Sequence, residues 1–255
     1  IQRYAPGQVG RYNDDFEPRA FGDNIQKWGT SAILIESGGF PDDVEKQEIR
    51  KLNYVSILSA IYAIASGSYA EVPVSAYEDI PENDRKLFDL KIEGVTYPLM
   101  GQEYLMDFGI HRLEVDYEGH QDFWYSSRIV DMGDLSTYYG YERVAGSGLH
   151  LEGGKVYPEV LEDLEAAAAL DFWSLLQQGY TYVRLKAIPE DLLASPFPLH
   201  LISESFEIPE PKWDVGDNPT FVLYRGASPV YAVVNGFLYR LADEKGGGKN
   251  SMVYR

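Results

Sequence analysis

The chain has 255 residues and a formal net charge of −18, from 22 Lys and Arg against 40 Asp and Glu. An acidic chain without a Lys/Arg cluster repels phosphate backbones, so we expect no nucleic-acid partner. The lack of cysteine excludes disulfides, thiolate nucleophiles and Cys-ligated metal sites. No apolar run approaches the ~20 residues of a membrane-spanning helix, so we expect no membrane span.

The first structural signal is a short continuous apolar run at residues 31–35, Ser-Ala-Ile-Leu-Ile. Continuous rather than alternating apolarity predicts a strand buried on both faces, as in an α/β sheet. The run ends at Glu36, Ser37 and two glycines, which places Glu36 at the carboxyl end of the predicted strand. Ligands usually bind at that edge of an open α/β sheet.

A long helix is predicted to follow over residues 42–66. Asp42 is a good N-cap, Glu45 lies three residues later as in a capping box, and Gly67 is a natural stop. Apolar residues recur at helical spacing between these ends. Residues 1–70 are therefore predicted to be an α/β segment built as strand, loop and long helix.

Residues 71–84 contain prolines and are predicted to be a linker, and residues 85–244 a mainly β (α+β) domain. One helix is predicted near 158–178, and the glycine-rich tail 245–255 is predicted to be mobile. Asn235-Gly236 between apolar residues is the strongest hairpin signal in the chain. The predicted strands cover residues 88–92, 105–108, 113–117, 123–130, 180–186, 220–225 and 230–241.

Glu36 is the leading candidate for chemistry. Partial desolvation at the end of an apolar strand raises the pKa of a carboxyl group and suits it to general-base catalysis near neutral pH. The alternative is that Glu36 caps a loop or pairs with a lysine or arginine.

Three segments resemble a known family: Gly-Gln-Val-Gly-Arg-Tyr-Asn-Asp-Asp-Phe at 7–16, Phe-Gly-Asp at 21–23, and Gly-Thr-Ser-Ala-Ile-Leu-Ile-Glu-Ser-Gly-Gly at 29–39. Together they are similar to the closing part of a zinc carboxypeptidase of the carboxypeptidase A family, in the subfamily of Bacteroidetes-type bacteria. The resemblance implies that Glu36 is the catalytic general base. It also implies that Gly22 and Asp23 flank the side-chain pocket and that Tyr12 is the mobile tyrosine over the site.

In that family the zinc ligands, a His-x-x-Glu pair and a later His, precede the catalytic Glu, and no counterpart lies between Ile1 and Glu36. The resemblance therefore implies zinc in a complete enzyme, held by an upstream zinc-binding portion of the same protein, with a peptide substrate cleaved at its C-terminal bond. The chain opens at Ile1 without an initiator Met, so we expect an excised piece that is inactive alone, with a β-rich accessory domain.

The four histidines offer other candidates. His111 and Glu114 form a His-x-x-Glu, with His120 nearby, but positions i and i+3 of a strand point to opposite faces. His150 and Glu152 share a face if they lie on a strand, although neighbouring glycines predict a loop. We expect solvated or structural roles for His111, Glu114 and His120, no metal at His150 and Glu152, and a packed or surface position for His200. The aromatic residues at 123–125 and 138–141 could stack on sugars or peptides if they are exposed, but packing within the sheet is the favoured prediction.

Two further hypotheses stay open. Residues 89–94, 221–224 and 230–239 resemble the small β-domain of amidohydrolases, without the metal-bearing barrel of those enzymes. The alternative to an enzyme part is a non-catalytic β-rich protein that binds a peptide, a glycan or a partner domain. In either case the predicted strand edge and apolar helix face need cover, so we expect the chain to form a homo-oligomer or to bind a partner.

Overall fold

A computed structural model describes residues 1–13, 15–40, 43, 45–119, 122–209, 212–243 and 249–255. The chain divides into two compact units, unit 1 (Ile1–Leu87) and unit 2 (Phe88–Arg255). The fold is mainly β, as the sequence predicts. The described strands lie in unit 2, except that the first of them begins at Leu87, the last residue of unit 1. The described part of unit 1 is helical or irregular.

The described part of unit 1 contains three α-helices and a short 3-10 turn. The helices are α1 (Phe21–Lys27), α2 (Gln47–Ser66) and α3 (Ser75–Glu78), with the 3-10 turn at Ser68–Glu71. A single parallel bridge joins Arg11 to Glu82, and the amide of Arg11 donates to the carbonyl of Pro81 at 2.7 Å. Among the described residues of unit 1, only Ala5 and Asp43 are buried. The unit therefore has almost no core of its own.

The predicted strand at residues 31–35 is wrong. The segment has no regular secondary structure, and Ile33, Leu34 and Ile35 are 64%, 66% and 44% exposed. Its composition suits a strand, but a strand exists only when neighbouring strands take up its backbone hydrogen bonds. Unit 1 provides no such neighbour among its described residues.

Helix α2 forms as predicted but begins later. Its start is capped from a distance, because the Asp43 carboxylate accepts from the amides of Gln47 at 2.7 Å and Ile49 at 3.1 Å. Gly67 ends the helix at φ 75°, the left-handed conformation that glycine adopts at low cost. The predicted N-cap, Asp42, lies outside the described residues.

In unit 2, the residues that the structure describes form thirteen strands in two sheets. The strands are β1 (Leu87–Leu99), β2 (Gln102–Asp116), β3 (Phe123–Gly133), β4 (Tyr139–Ala145), β5 (His150–Glu152), β6 (Lys155–Leu161), β7 (Tyr180–Leu185), β8 (Ala194–Ser195), β9 (His200–Ser203), β10 (Phe221–Arg225), β11 (Ser228–Val234), β12 (Phe237–Arg240) and β13 (Ser251–Tyr254). The larger sheet has eight strands in the order β12-β11-β10-β5-β1-β2-β3, with β4 also paired to β1. The smaller sheet has the order β6-β7-β9-β13-β8.

Strand β10 is buried on both faces and separates two cores. Phe221 and Leu223 point into the core formed by β1 to β5, whereas Val222 and Tyr224 point into a second core shared with β7, β9 and two short helices. This double burial accounts for the continuous apolar run that predicts a strand here. The Asn235-Gly236 turn is confirmed, with φ 48° and 73° between the paired ends of β11 and β12.

The predicted single helix near 158–178 is wrong. Pro158 lies in β6, and the helical part is split into α4 (Leu164–Ala168) and α5 (Phe172–Gln177). The split occurs because Asp163 and Asp171 each cap a helix start, accepting from the amides of Ala166 and Ser174. Two cap residues eight positions apart favour two short helices over one long one.

The prediction of a mobile tail is wrong for β13. The strand lies between β9 and β8, pairing Val253 with Leu201 and Ser251 with Ser195. Residues 244–248, which carry the tail's three consecutive glycines, lie outside the described residues.

Strand β1 is more buried than its alternating pattern predicts. Lys91 is 2% exposed, and its Nζ lies 2.9 Å from Glu93 Oε1 and 3.1 Å from the carbonyl oxygen of Tyr138. Burial alone raises the pKa of Glu93, but the charges and hydrogen bonds of Lys91 and Arg143 lower it overall. The pairing of β4 with β1 covers a face predicted to be solvent-exposed, so Lys91 is buried and its ion-pair partner Glu93 remains partly exposed.

Position 179, between α5 and β7, requires a glycine because of its backbone conformation and because of a neighbouring side chain. It has φ 85°, and a Cβ there would collide with the Tyr224 hydroxyl, a buried group without a hydrogen-bond partner among the described residues. We expect Gly179→Ala to lower the free energy of unfolding by about 3 kcal/mol, from backbone strain and overpacking. Urea unfolding of the full chain measures this.

Gly148→Ala is the matched control, because Gly148 has φ 74° with open space around it. It should cost only the backbone strain, about 1 kcal/mol. Adding Tyr224→Phe to Gly179→Ala should recover the difference, since it removes the hydroxyl. Equal losses for the two alanine variants would show that Tyr224 imposes no steric constraint.

Candidate functional site

The four residues predicted to belong to a peptidase site are not joined by any described contact. Glu36 is exposed, and Tyr12 is 45% exposed. Gly22 and Asp23 lie in α1, where the Asp23 carboxylate accepts from the amide of Glu17 at 2.8 Å. No described hydrogen bond or ion pair joins any two of these four residues. Glu36 therefore lacks the buried strand end on which its proposed basicity depended.

Asp23 borders an open depression with Phe16, Gln26 and Lys27. The Lys27 ammonium group lies 5.7 Å from the centre of the Phe16 ring. This depression contains one carboxylate and one ammonium group on a short helix. It offers neither enclosure nor a set of convergent polar groups, which binding sites for small molecules usually have.

His111 belongs to an ion-pair cluster at the start of β1. Its Nδ1 lies 3.3 Å from Asp89 Oδ2, and the same oxygen accepts from the amide of Arg112 at 2.8 Å. Burial alone raises the pKa of Asp89, but these hydrogen bonds and the nearby positive charges lower it overall. Glu114 instead receives a hydrogen bond of 3.5 Å from the Tyr125 hydroxyl. The two members of the His-x-x-Glu thus have different partners, and His120 lies outside the described residues.

His150 and Glu152 lie on a strand, so the loop predicted there is wrong. On β5 their side chains share one face, with His150 Nε2 3.0 Å from Glu152 Oε1. The His150 ring stacks on Tyr224 at 5.7 Å between centres. Among the described residues, no group of three or more His, Asp or Glu could hold a metal ion. The pair is a partly exposed surface contact.

His200 is fully buried in a polar network at the junction of the two sheets. Its Nδ1 accepts from the amide of Met252 at 2.9 Å, so Nε2 carries the proton and donates to Thr220 Oγ1 at 2.6 Å. Thr220 in turn donates to Asn218 and accepts from the amide of Asn235. Because each buried polar group has a partner, the network serves the fold, as expected for His200.

The aromatic residues at 123–125 and 138–141 mostly pack the sheet. Tyr125 makes edge contacts with Phe123 and Phe237 at 5.3 and 5.0 Å, and Tyr138 stacks on Phe88 at 5.2 Å. Only Phe123 and Tyr139 of this set are large exposed hydrophobic residues.

The most unusual surface of the molecule is on helix α2. Residues 52–66 contain no charged side chain, in a chain of which 24% of residues are charged. Its large apolar residues are exposed by 48% to 72%: Tyr54, Ile57, Leu58, Ile61, Tyr62 and Ile64. Four of them follow i, i+3, i+4, i+7 spacing, so they form one face. We call these six residues the α2 apolar face.

The opposite side of α2 carries smaller and more buried residues. Asn53, Ser56, Ala60 and Ala63 are intermediate in exposure, and Asn53 Nδ2 donates to Ser37 Oγ at 2.7 Å. The smaller side of the helix thus makes one hydrogen bond to Ser37, and the bulky side is exposed to solvent. Apolar residues at helical spacing predict an apolar helix face that needs cover. The lack of charge over residues 52–66 is the sequence feature that indicates this need.

Comparisons with known proteins identify no family for the chain. No family model and no curated protein matches it. A solved mutant of D-aminoacylase in complex with CuCl2 is 21% identical, over 41% of this chain and 22% of its own, with a TM-score of 0.28. N-acyl-D-glutamate deacylase from Bordetella bronchiseptica, complexed with zinc and a phosphonate inhibitor, is 19% identical, over 43% and 22%, with a TM-score of 0.26.

The carboxypeptidase assignment is wrong. The solved structures that match are a D-aminoacylase and an N-acyl-D-glutamate deacylase rather than carboxypeptidases, and the strand predicted to present Glu36 does not form. The peptide substrate and the upstream zinc-binding portion were expected from that resemblance and stay untested. The two neighbours are described with copper and with zinc, and the described residues of this chain hold no group that could bind a metal. The chain spans 22% of each neighbour's length, and at these TM-scores neither the activity nor the metals of the neighbours transfer to it. No helix among the described residues is long and apolar enough to cross a membrane.

Proposed function

We propose that this chain is an assembly component, in which unit 1 mediates self-association and unit 2 is the β unit that the assembly carries. The observation that supports this is the α2 apolar face, six large side chains that are exposed on an uncharged helix. A helix of this composition is normally buried. Burying one such side chain stabilises by roughly 1.5–3 kcal/mol, so leaving six in water is costly.

Charge favours contact at this face. Each copy carries −18, so two copies repel each other wherever acidic surfaces meet. Residues 52–66 add nothing to that repulsion. Salt shortens the range of repulsion and strengthens apolar contact, so self-association should become tighter as the NaCl concentration rises.

The test is sedimentation velocity of the full chain over a wide concentration range. We expect a dimer or larger species, and we expect Leu58→Glu and Ile61→Glu to weaken self-association at least tenfold, about 1.4 kcal/mol. Glutamate has a higher helix propensity than isoleucine, so the helix itself should survive. Circular dichroism checks that it does.

Val215→Glu is the matched control, since Val215 is 56% exposed, lies in unit 2 and adds the same charge. Its self-association should equal that of the parent. A monomer at every concentration and salt level would overturn the proposal. So would binding of the α2 apolar face to phosphatidylcholine vesicles by a chain that remains monomeric.

A further inference from the structure

The turn between β11 and β12 contains the one Asn-Gly pair of the chain, Asn235 and Gly236. Asparagine is among the chemically labile residues of proteins. The backbone nitrogen of the residue that follows it can attack its side-chain carbonyl carbon. Glycine in that following position allows the attack best, because it has no side chain and its backbone reaches conformations that other residues avoid. In an unfolded chain Asn235 is therefore the most reactive asparagine.

The reaction is deamidation, and water is its only co-reactant. The nitrogen of Gly236 forms a bond to Cγ of Asn235 and the Cγ–Nδ2 bond breaks. Ammonia leaves with the proton of the Gly236 amide, and the product is a five-membered succinimide ring. Water then opens the ring at one of its two carbonyl carbons. The final product is aspartate, or isoaspartate, in which the main chain runs through the former side chain.

The folded turn restrains both reacting groups. The Gly236 amide donates to the carbonyl of Pro219 at 3.0 Å, so the attacking nitrogen is engaged elsewhere. The Asn235 side chain is fixed from both ends, because Oδ1 accepts from the amide of Ser127 at 3.0 Å and Nδ2 donates to the carbonyl of Tyr125 at 2.8 Å. Asn235 is also fully buried, which keeps out the water that opens the ring.

We propose that Asn235 is a modification site controlled by folding, which deamidates spontaneously when unit 2 is unfolded and is protected by the native turn. The inference is independent of the proposed self-association, because it concerns unit 2 alone. Unfolding exposes the amide and releases the Gly236 nitrogen together. The state of residue 235 therefore reports how long unit 2 has been unfolded.

The modification also weakens the fold that prevents it. Aspartate at 235 has no N–H to donate to the carbonyls of Tyr125 and Asn250, which Asn235 Nδ2 contacts at 2.8 and 3.3 Å. It also places a carboxylate in a fully buried position. Isoaspartate adds an atom to the main chain between β11 and β12, so the register of the two strands no longer matches the turn.

The test compares the folded and the unfolded chain. The full chain is incubated in mildly alkaline buffer, with and without enough guanidinium chloride to unfold unit 2. Peptide mapping by mass spectrometry then measures conversion at each asparagine over time. We expect Asn235 to deamidate at least tenfold faster in the unfolded chain than in the folded chain.

Two other asparagines are internal controls. Asn53 precedes Tyr54, a bulky residue, so in the unfolded chain it should react at least tenfold more slowly than Asn235. Asn13 is exposed in the folded chain, so its rates with and without denaturant should be similar. Gly236→Ala, measured only in denaturant, should slow the reaction at Asn235 by hindering the attacking nitrogen.

Two results would overturn the proposal. If Asn235 reacts equally fast in the folded and unfolded chains, the turn gives no protection. If Asn235 in denaturant reacts no faster than Asn53, the pair is not a reactive site. Neither measurement requires a variant to fold.

Refolding provides a second readout. The native tryptophan fluorescence recovered on dilution from denaturant should fall as the incubation lengthens, with the rate constant of deamidation at Asn235. Asn235→Gly is the matched control, because glycine tolerates the turn and has no amide to lose, so its recovery should not depend on incubation time. Asn235→Asp should unfold at a lower denaturant concentration than the parent. An equal decline for the parent and Asn235→Gly, or an unchanged midpoint for Asn235→Asp, would refute the effect of the modification on the fold.

Discussion

Replacing Asn235 with alanine should lower the free energy of unfolding of unit 2 by about 4 kcal/mol. Asn235 is fully buried, and its Oδ1 accepts from the amide of Ser127 at 3.0 Å and from Asn218 Nδ2 at 2.8 Å. Its Nδ2 donates to the carbonyls of Tyr125 at 2.8 Å and Asn250 at 3.3 Å. The side chain therefore joins β3, the β11–β12 turn and the segment leading to β13.

Two losses combine in this variant. Each buried group left without a partner costs about 1–3 kcal/mol, and alanine at φ 48° adds about 1 kcal/mol that asparagine largely avoids. Denaturant unfolding followed by tryptophan fluorescence measures the sum. Asn235→Gly isolates the hydrogen-bond part, because glycine tolerates the turn, and should be about 1 kcal/mol less damaging. Losses below 1 kcal/mol for both variants would contradict the network's importance.

Acidification should destabilise unit 2 through His200. Burial lowers the pKa of His200 from 6.5 to about 3. The ring lies between Tyr182 and Tyr254, with centres 5.0 and 5.4 Å away, and neither offers a negative charge near neutral pH. Both ring nitrogens are already hydrogen-bonded to Met252 and Thr220 in the neutral form.

The sign follows from which state binds the proton. Between pH 6.5 and about 3 the unfolded chain binds a proton at His200 and the folded chain does not. The contribution of neutral His200 to the free energy of unfolding is therefore fully present above pH 6.5, and it is lost as the pH falls from 6.5 towards 3. At pH 4.5 this group alone should remove about 3 kcal/mol, since each pKa unit is worth about 1.4 kcal/mol.

The measurement compares urea unfolding at pH 7 and pH 4.5 for the parent chain and for His200→Gln. Carboxylates such as Asp89 also titrate in acid, but they contribute equally to both proteins and cancel in the comparison. The variant should be less stable at pH 7 and should lose about 3 kcal/mol less on acidification. Equal losses for the two proteins would exclude His200 as the cause.

Local chemistry was sufficient to predict most strands of unit 2. The predicted strands at 105–108 and 113–117 form a single β2, and the Asn-Gly hairpin forms where the sequence places it. These predictions succeed because alternation and turn residues act within a few positions of each other. Gly67 ends α2 for the same reason.

The catalytic role predicted for Glu36 depended on a family resemblance and on a strand at residues 31–35, and that strand does not form. Residues 31–35 have the composition of a buried strand, yet the described part of unit 1 provides no strand to pair with them. The sequence does predict that a helix face needs cover. It does not reveal that the bulky side of α2 faces solvent, because an apolar face normally packs against a core and nothing local shows whether such a core is present.

The sequence by itself determined the acidic charge, the absence of cysteine, the helix α2 and the mainly β character of the C-terminal part, because each of these depends on composition or on short-range pattern. Tertiary structure alone decided that Lys91 is buried and that Ser251–Tyr254 is a strand inside a sheet. It also decided that Glu36 is exposed to solvent. Burial and strand pairing depend on residues that are distant in the chain, and no local pattern specifies them.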